Sequence, residues 1–235
     1  MHLLVVCTAN IARSPLAGVM LAASLEDHGI EVVSAGTHAR TGDPAAEPSR
    51  RMAQHRGLDL SEHRSQVVTE SLVREAGLVV TMSERHRDRC APLAAGAGSY
   101  VFTLRELGRL LGAADLEGIP SAVPDRLGWL ADRAHLARPR ASPASGPEDV
   151  HDPIRDPEAA WMRMAATLDA GCSELVHALG LPVGWRPAEV TEDSPPSEPA
   201  APGRGARWMR SAGRGGGRSP WARRRADPSG DEPHA

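Results

Sequence analysis

The sequence predicts an α/β fold: a four-stranded parallel sheet flanked by helices on both faces, with a disordered C-terminal tail. Three observations carry this expectation. Short apolar runs alternate with helical periodicity over residues 1–182, as in successive βαβ units with right-handed crossovers. The first run, Leu3-Leu4-Val5-Val6, is continuous, as expected of a parallel strand buried on both faces. Beyond Pro182 the chain turns to Pro, Gly, Ser, Glu and Arg with few aliphatics, too little apolar surface to offset chain entropy.

Taken in order, residues 3–6 form the first strand and residues 14–28 a helix. Leu16, Val19, Met20 and Ala23 share one face of it, and Gly29 stops it. Residues 31–34 are the second strand. Residues 45–55 are a second helix, closed by Gly57. Residues 78–82 and the shorter 100–103 are the third and fourth strands. A last helix spans 157–179, with Asp156 as N-cap, Pro157 in the first turn and Gly180 after the end. Trp161, Met164, Leu168, Cys172, Leu175 and Leu179 recur along it at helical spacing and face the sheet. Residues 112–147 read as an insertion or long loop region, with an extra helix over 127–136 and a loop over 139–147. The domain is expected to occupy 1–182 and the tail 183–235.

Composition bounds the function. Of 235 residues, 41% are hydrophobic but only 3% aromatic, so the core is aliphatic. A net charge of -3 argues against a general nucleic-acid binder. The tail's arginines, among them Arg204, Arg207, Arg210 and Arg214, read as a solvated, composition-biased segment, with contact to acidic partners, RNA or a membrane surface as the alternative; removal after Pro182 is expected to leave activity intact. Cys7, Cys90 and Cys172 are too few and too far apart for a disulfide framework or a zinc pattern. A reducing cytoplasmic setting is expected, and the N-terminal apolar run is too short for a signal peptide or a membrane span.

The most informative segment follows the first strand: Cys7-Thr8-Ala9-Asn10-Ile11-Ala12-Arg13-Ser14-Pro15. In α/β sheets, ligands sit beyond the carboxyl ends of the strands. A loop there that leads into a helix directs free N–H groups at one spot, helped by the positive end of the helix dipole. Five residues between Cys7 and Arg13 allow the loop from Thr8 to Arg13 to curl around a tetrahedral anion. Arg13 can then grip two oxygens with its planar fork, and Cys7 lies beneath the central atom. The same field favours a thiolate at Cys7, and Ser14 can donate a hydrogen bond to it.

This segment resembles the signature loop of the low-molecular-weight protein tyrosine phosphatases. The resemblance extends to Ser34-Ala35-Gly36-Thr37, to Gly57-Leu58-Asp59 with Ser61, His63 and Arg64, to Val79-Val80-Thr81-Met82, and to Asp152-Pro153 before the last helix. It implies that Cys7 attacks phosphorus and forms a phosphocysteine. It makes Arg13 and the amides of Thr8, Ala9, Asn10, Ile11, Ala12 and Arg13 the phosphate-binding groups, and Asp152 the general acid and base. Asn10, Ser14, Ser34 and His63 match the hydrogen-bond network that holds the loop in shape. No cofactor or metal is implied, since Arg13 and the amides handle the charge; His151 beside Asp152 lacks partners at metal-ligand spacing. The implied partner is a phosphotyrosine protein, with a tyrosine kinase of polysaccharide export as one candidate, or a small aryl phosphate.

Several positions depart from the family pattern. Ala12 stands where members often carry a second, protective cysteine. Ile154 follows Asp-Pro where an aromatic residue is usual, and Thr37-His38-Ala39-Arg40 offers no Trp or Tyr, so stacking surface for an aryl ring is reduced. Three alternatives share the scaffold. A thioredoxin-coupled arsenate reductase needs two more cysteines near the third strand, where this chain has Met82 and only Cys90 beyond. A protein-arginine phosphatase tends to carry Thr at the position of Ile11. A non-enzymatic phosphate-binding regulator is the third, and the presence of Cys7, Arg13 and Asp152 argues against it.

Overall fold

The structure, a computed structural model, describes residues 1–187. Four strands, β1 (His2–Cys7), β2 (Glu31–Gly36), β3 (Ala76–Thr81) and β4 (Val101–Thr103), form one parallel sheet in the order β2-β1-β3-β4. Every residue of the central strands β1 and β3 is buried. Because side chains alternate across a strand, the sheet separates two apolar layers. Leu3, Val5 and Cys7 face one layer with Leu78 and Val80; Leu4 and Val6 face the other with Val79 and Val101.

The larger layer contains α1 (Arg13–Leu25), α2 (Glu47–His55), α5 (Leu104–Leu111), α6 (Arg126–Ala137) and α7 (Glu158–Ala178). The smaller layer is covered by α3 (Glu70–Arg74) and α4 (Glu84–Cys90). Gly29, Gly57 and Gly180 follow their helices with φ of 81°, 75° and 69°, the left-handed stops expected of them. Cys172 is fully buried on α7, as its place in the apolar stripe requires.

Three short helices, α3, α4 and α5, have no counterpart in the sequence pattern. Thr69, Ser83 and Thr103 cap them by accepting from backbone N–H groups, and Thr103 with Glu106 forms a capping box. The 112–147 region holds more than a long loop: Leu127, Leu130, Ala131, Ala134 and Ala137 of α6 enter the core. Asp156 is not the cap of α7. Pro157 occupies that position without a side-chain hydrogen bond, and the Asp156 carboxylate pairs with His151.

The domain also runs past Pro182. Gly184 N–H donates to Ser24 Oγ (2.7 Å), and a Cβ on Gly184 would lie 2.1 Å from the Ala23 carbonyl oxygen. Trp185 is buried and donates from Nε1 to Asp169 (3.0 Å), the carboxylate that also holds Arg56 in a bidentate ion pair. Apolar burial together with this donor packs the chain onto the domain as far as Trp185, three residues beyond Pro182. The rest of the expected tail, 188–235, lies outside the described residues.

Candidate active site

At the carboxyl end of β1 the chain leaves Cys7, turns through residues 8–12 and enters α1 at Arg13. The carbonyl groups of this loop are tied outward. Cys7 O accepts from Thr37 N (2.9 Å), Thr8 O from His38 N (2.8 Å) and Ile11 O from Ala46 N (2.8 Å). Asn10 O accepts from His63 Nε2 (2.7 Å) and Ala12 O from Ser49 Oγ (3.1 Å). With the carbonyls turned out, the amides of Thr8 to Arg13 make no hydrogen bond among the described residues. The N-terminus of α1 has no side-chain cap and no acidic residue in its first turn. Arg13 is buried, and its Nε likewise has no hydrogen-bond partner among the described residues. Buried donors left together in this way mark a site for a polyanionic group.

The loop keeps this shape because Asn10 sits at its centre with φ 55°, the one positive φ among the described non-glycine residues. Asn tolerates this conformation better than other side chains. Its amide locks the turn: Nδ2 donates to Ser14 Oγ (3.0 Å) and Ser34 Oγ (2.9 Å), and Oδ1 accepts from Gln66 N (3.0 Å). His63 is fully buried, and desolvation lowers its pKa to about 4, so it donates to Asn10 O as a neutral imidazole. Gly36, paired with Cys7 in the sheet, leaves room for the loop backbone: a Cβ there would lie 2.5 Å from Thr8 O and 2.9 Å from Asn10 N.

Cys7 Sγ is 3.0 Å from Ser14 Oγ, which also lies 3.3 Å from Ala35 O. Ser14 has one proton to give. As a thiol, Cys7 can donate to Ser14 while Ser14 donates to Ala35; as a thiolate, it takes the Ser14 proton itself. Arg13 Nη1 donates to Val150 O (3.1 Å), and Nη2 donates to Thr8 Oγ1 (3.1 Å) and to the Asp152 carboxylate. The segment carrying Asp152 is fastened beyond β3, with Val150 N donating to Met82 O (2.9 Å) and Glu84 N to Asp149 Oδ1 (2.8 Å). Cys7, Arg13 and Asp152, far apart in sequence, thus meet over one cradle, and Asn10, Ser14, Ser34 and His63 buttress it.

The family model described as low molecular weight phosphotyrosine protein phosphatase matches residues 2–117. A protein of Ralstonia nicotianae named "Probable low molecular weight protein-tyrosine-phosphatase EpsP" is 39% identical over 105 residues, covering 45% of this chain and 71% of that protein. The chain belongs to the low molecular weight phosphotyrosine protein phosphatase family. A protein-arginine-phosphatase of Geobacillus stearothermophilus is 31% identical over 105 residues, covering 45% of this chain and 70% of its own length. The crystal structure of a low molecular weight protein tyrosine phosphatase from T. tengcongensis shares the fold, with TM-score 0.55 and 24% identity over 75% of this chain and 98% of that one.

Around this phosphatase-family cradle, the rim is polar and aliphatic. Thr37 and His38 are bonded to the loop carbonyls, Arg40 pairs with Asp43 (3.2 Å), and Ile154 beside Pro153 is 47% exposed. One buried residue beside the cradle was not legible in the sequence. His86, near the start of α4, places Nε2 2.9 Å from Thr8 Oγ1 and Nδ1 2.8 Å from Ser83 Oγ. Burial, and then the nearby Arg13 charge, lowers its pKa to about 4. Its sequence setting, Ser83-Glu84-Arg85-His86, signals only a helix start.

Proposed function

We propose that this chain is a cysteine-dependent phosphomonoesterase acting on phosphotyrosine proteins or related aryl phosphates. The observation that carries the proposal is the set of unpartnered amides from Thr8 to Arg13, with buried Arg13 Nε beside them, around the Cys7 sulfur. A phosphoryl group seated there puts its equatorial oxygens against N–H donors, where transition-state charge is spread. The Cys7 thiolate, steadied by the Ser14 proton, attacks phosphorus opposite the leaving oxygen. Arg13 Nη2 exchanges Asp152 for a phosphate oxygen, which frees the carboxyl group to protonate the leaving group. In the second step Asp152 takes a proton from water, and the water oxygen displaces Cys7 from the phosphocysteine. The charge is handled by Arg13 and backbone amides, so the chemistry asks for no metal.

Free, buried Cys7, Cys90 and Cys172 suit a reducing cytoplasmic setting, and no helix among the described residues is long and apolar enough to cross a membrane. Cys90 argues against a disulfide relay of the reductase kind: it is fully buried, with its thiol pKa pushed up by burial to about 12, and it packs in the layer opposite Cys7. Arginine phosphate is the second candidate substrate, because a protein-arginine-phosphatase is among the relatives; the apolar Ile11 at the cradle's lip favours the aryl ester.

The test is hydrolysis of p-nitrophenyl phosphate from about pH 5 to about pH 8 without added metal, with phosphotyrosine and phosphoarginine peptides beside it. Cys7→Ser should abolish turnover, and Asp152→Ala should lower kcat by about 10²–10⁴-fold. An active Cys7→Ser enzyme would refute the mechanism. Faster release of phosphate from arginine than from tyrosine would reassign the substrate.

A further inference from the structure

We propose that His86 is a positioning residue for the phosphate-binding arginine, acting through the Thr8 hydroxyl. Thr8 stands directly after Cys7, and its Oγ1 has two polar neighbours, Arg13 Nη2 at 3.1 Å and His86 Nε2 at 2.9 Å. Arg13 can only donate, so Thr8 Oγ1 accepts from it. The hydroxyl keeps its own proton to give, and in the Nδ1–H tautomer of His86 that proton points at Nε2, which accepts it. An imidazole accepting at Nε2 carries its proton at Nδ1, and Nδ1 lies 2.8 Å from Ser83 Oγ, the N-cap of α4. In this tautomer the donors run in one direction, from Arg13 through Thr8 and His86 to Ser83, and each bond polarises the next.

This order needs a neutral imidazole. A second proton, added at Nε2 to the Nδ1–H imidazole, would aim another donor at Thr8 Oγ1 and place a cation beside Arg13. Burial, the Arg13 charge and His38 oppose that proton, while Asp149 and Asp152 favour it. His86 is only 6% exposed, so water does not replace it as a partner of Thr8. Val150 O holds Nη1, the far arm of the Arg13 fork, while the Asp152 carboxylate shares Nη2 with Thr8. Substrate displaces the Asp152 contact in the proposed reaction, so during turnover Thr8 and Val150 are the protein groups that keep the guanidinium in plane. A small tilt of that fork costs rate out of proportion to its size.

The inference rests on the phosphatase proposal for its kinetic readout, so a second readout needs no turnover. In the full chain, His86→Ala, His86→Gln, Thr8→Val and the double variant H86A/T8V are compared with the parent. The measurements are kcat/KM on p-nitrophenyl phosphate and the dissociation constant of orthovanadate, with melting curves confirming that each variant is folded. His86→Ala and Thr8→Val should each lower kcat/KM by about tenfold and weaken vanadate by a similar factor. The double variant should be no worse than either single one, because both break one chain of bonds. Gln carries an amide to the position of Nε2, and His86→Gln should recover most of the loss. Losses that multiply to about a hundredfold in the double variant would overturn the proposal. So would a His86→Ala protein with a lowered melting temperature but the parent's vanadate affinity and kcat/KM. If the parent is inert toward the ester, the phosphatase proposal falls and the vanadate affinities still decide the role of His86.

Discussion

A methyl group on Gly36 would meet the Thr8 carbonyl oxygen and the Asn10 amide at distances no real Cβ adopts. Both atoms belong to the cradle, so Gly36→Ala moves the loop or opens the β1–β2 pairing. Overpacking of this kind costs about 1–3 kcal/mol. Gly36→Ala should therefore melt earlier and lose at least about tenfold in kcat/KM on p-nitrophenyl phosphate. A variant with parental kinetics would show that the loop tolerates the shift. At this scale, legibility followed contiguity. Cys7, Arg13 and Ser14 lie in one stretch whose spacing, set between a strand and a helix start, implies an anion loop. Ser34, His63 and Asp152 come from remote segments and could be named only through family resemblance. His86 escaped both routes, because its contact with Thr8 exists only once α4 is set across the end of β3.

At the scale of elements, strands and long helices were legible because their burial leaves a period. β1 and β3 are buried on both faces and read as unbroken apolar runs, and α7 repeats its apolar stripe through most of its 21 residues. Helices α3, α4 and α5 have only five, seven and eight residues, too few turns for a period to stand out. The packing of the segment after Pro182 was not legible for a related reason. Residues 183–187 have a tail-like composition, and Trp185, held between Asp169 and the core, anchors them with Val183 packed beside it. Losing a buried Trp typically costs about 3–5 kcal/mol. A chain cut after Pro182 should thus be less stable to urea than one cut after Pro187. Equal midpoints would mean that Trp185 contributes little to the folded domain.

The molecule as a whole should weaken in mild acid. His63 and His86 have their pKa values lowered by burial from the usual 6.5 to about 4, so the unfolded chain takes up their protons first. Their contribution to stability is complete above about pH 6.5 and drains away as the pH falls toward about 4. At about 1.4 kcal/mol per pKa unit the full loss is about 3.5 kcal/mol for each, reached only below about pH 4. Urea midpoints should accordingly fall between about pH 7 and about pH 5, and the fall should be smaller in His86→Gln. A midpoint independent of pH over that range would show that neither imidazole is held neutral by the fold.

The outward-tied carbonyls of residues 7, 8 and 10–12 have a consequence for how the enzyme behaves as its work proceeds. A receptor whose donors are already aimed loses little freedom on filling, and what it recognises is a tetrahedral oxyanion rather than the group attached to it. If the cradle binds phosphate as proposed, inorganic phosphate, the compound each turnover releases, fits it as the phosphoryl head of the substrate does. Accumulating product therefore competes with fresh substrate, and the discrimination that the cradle does not supply falls to the sparse rim of Thr37, His38, Arg40 and Ile154.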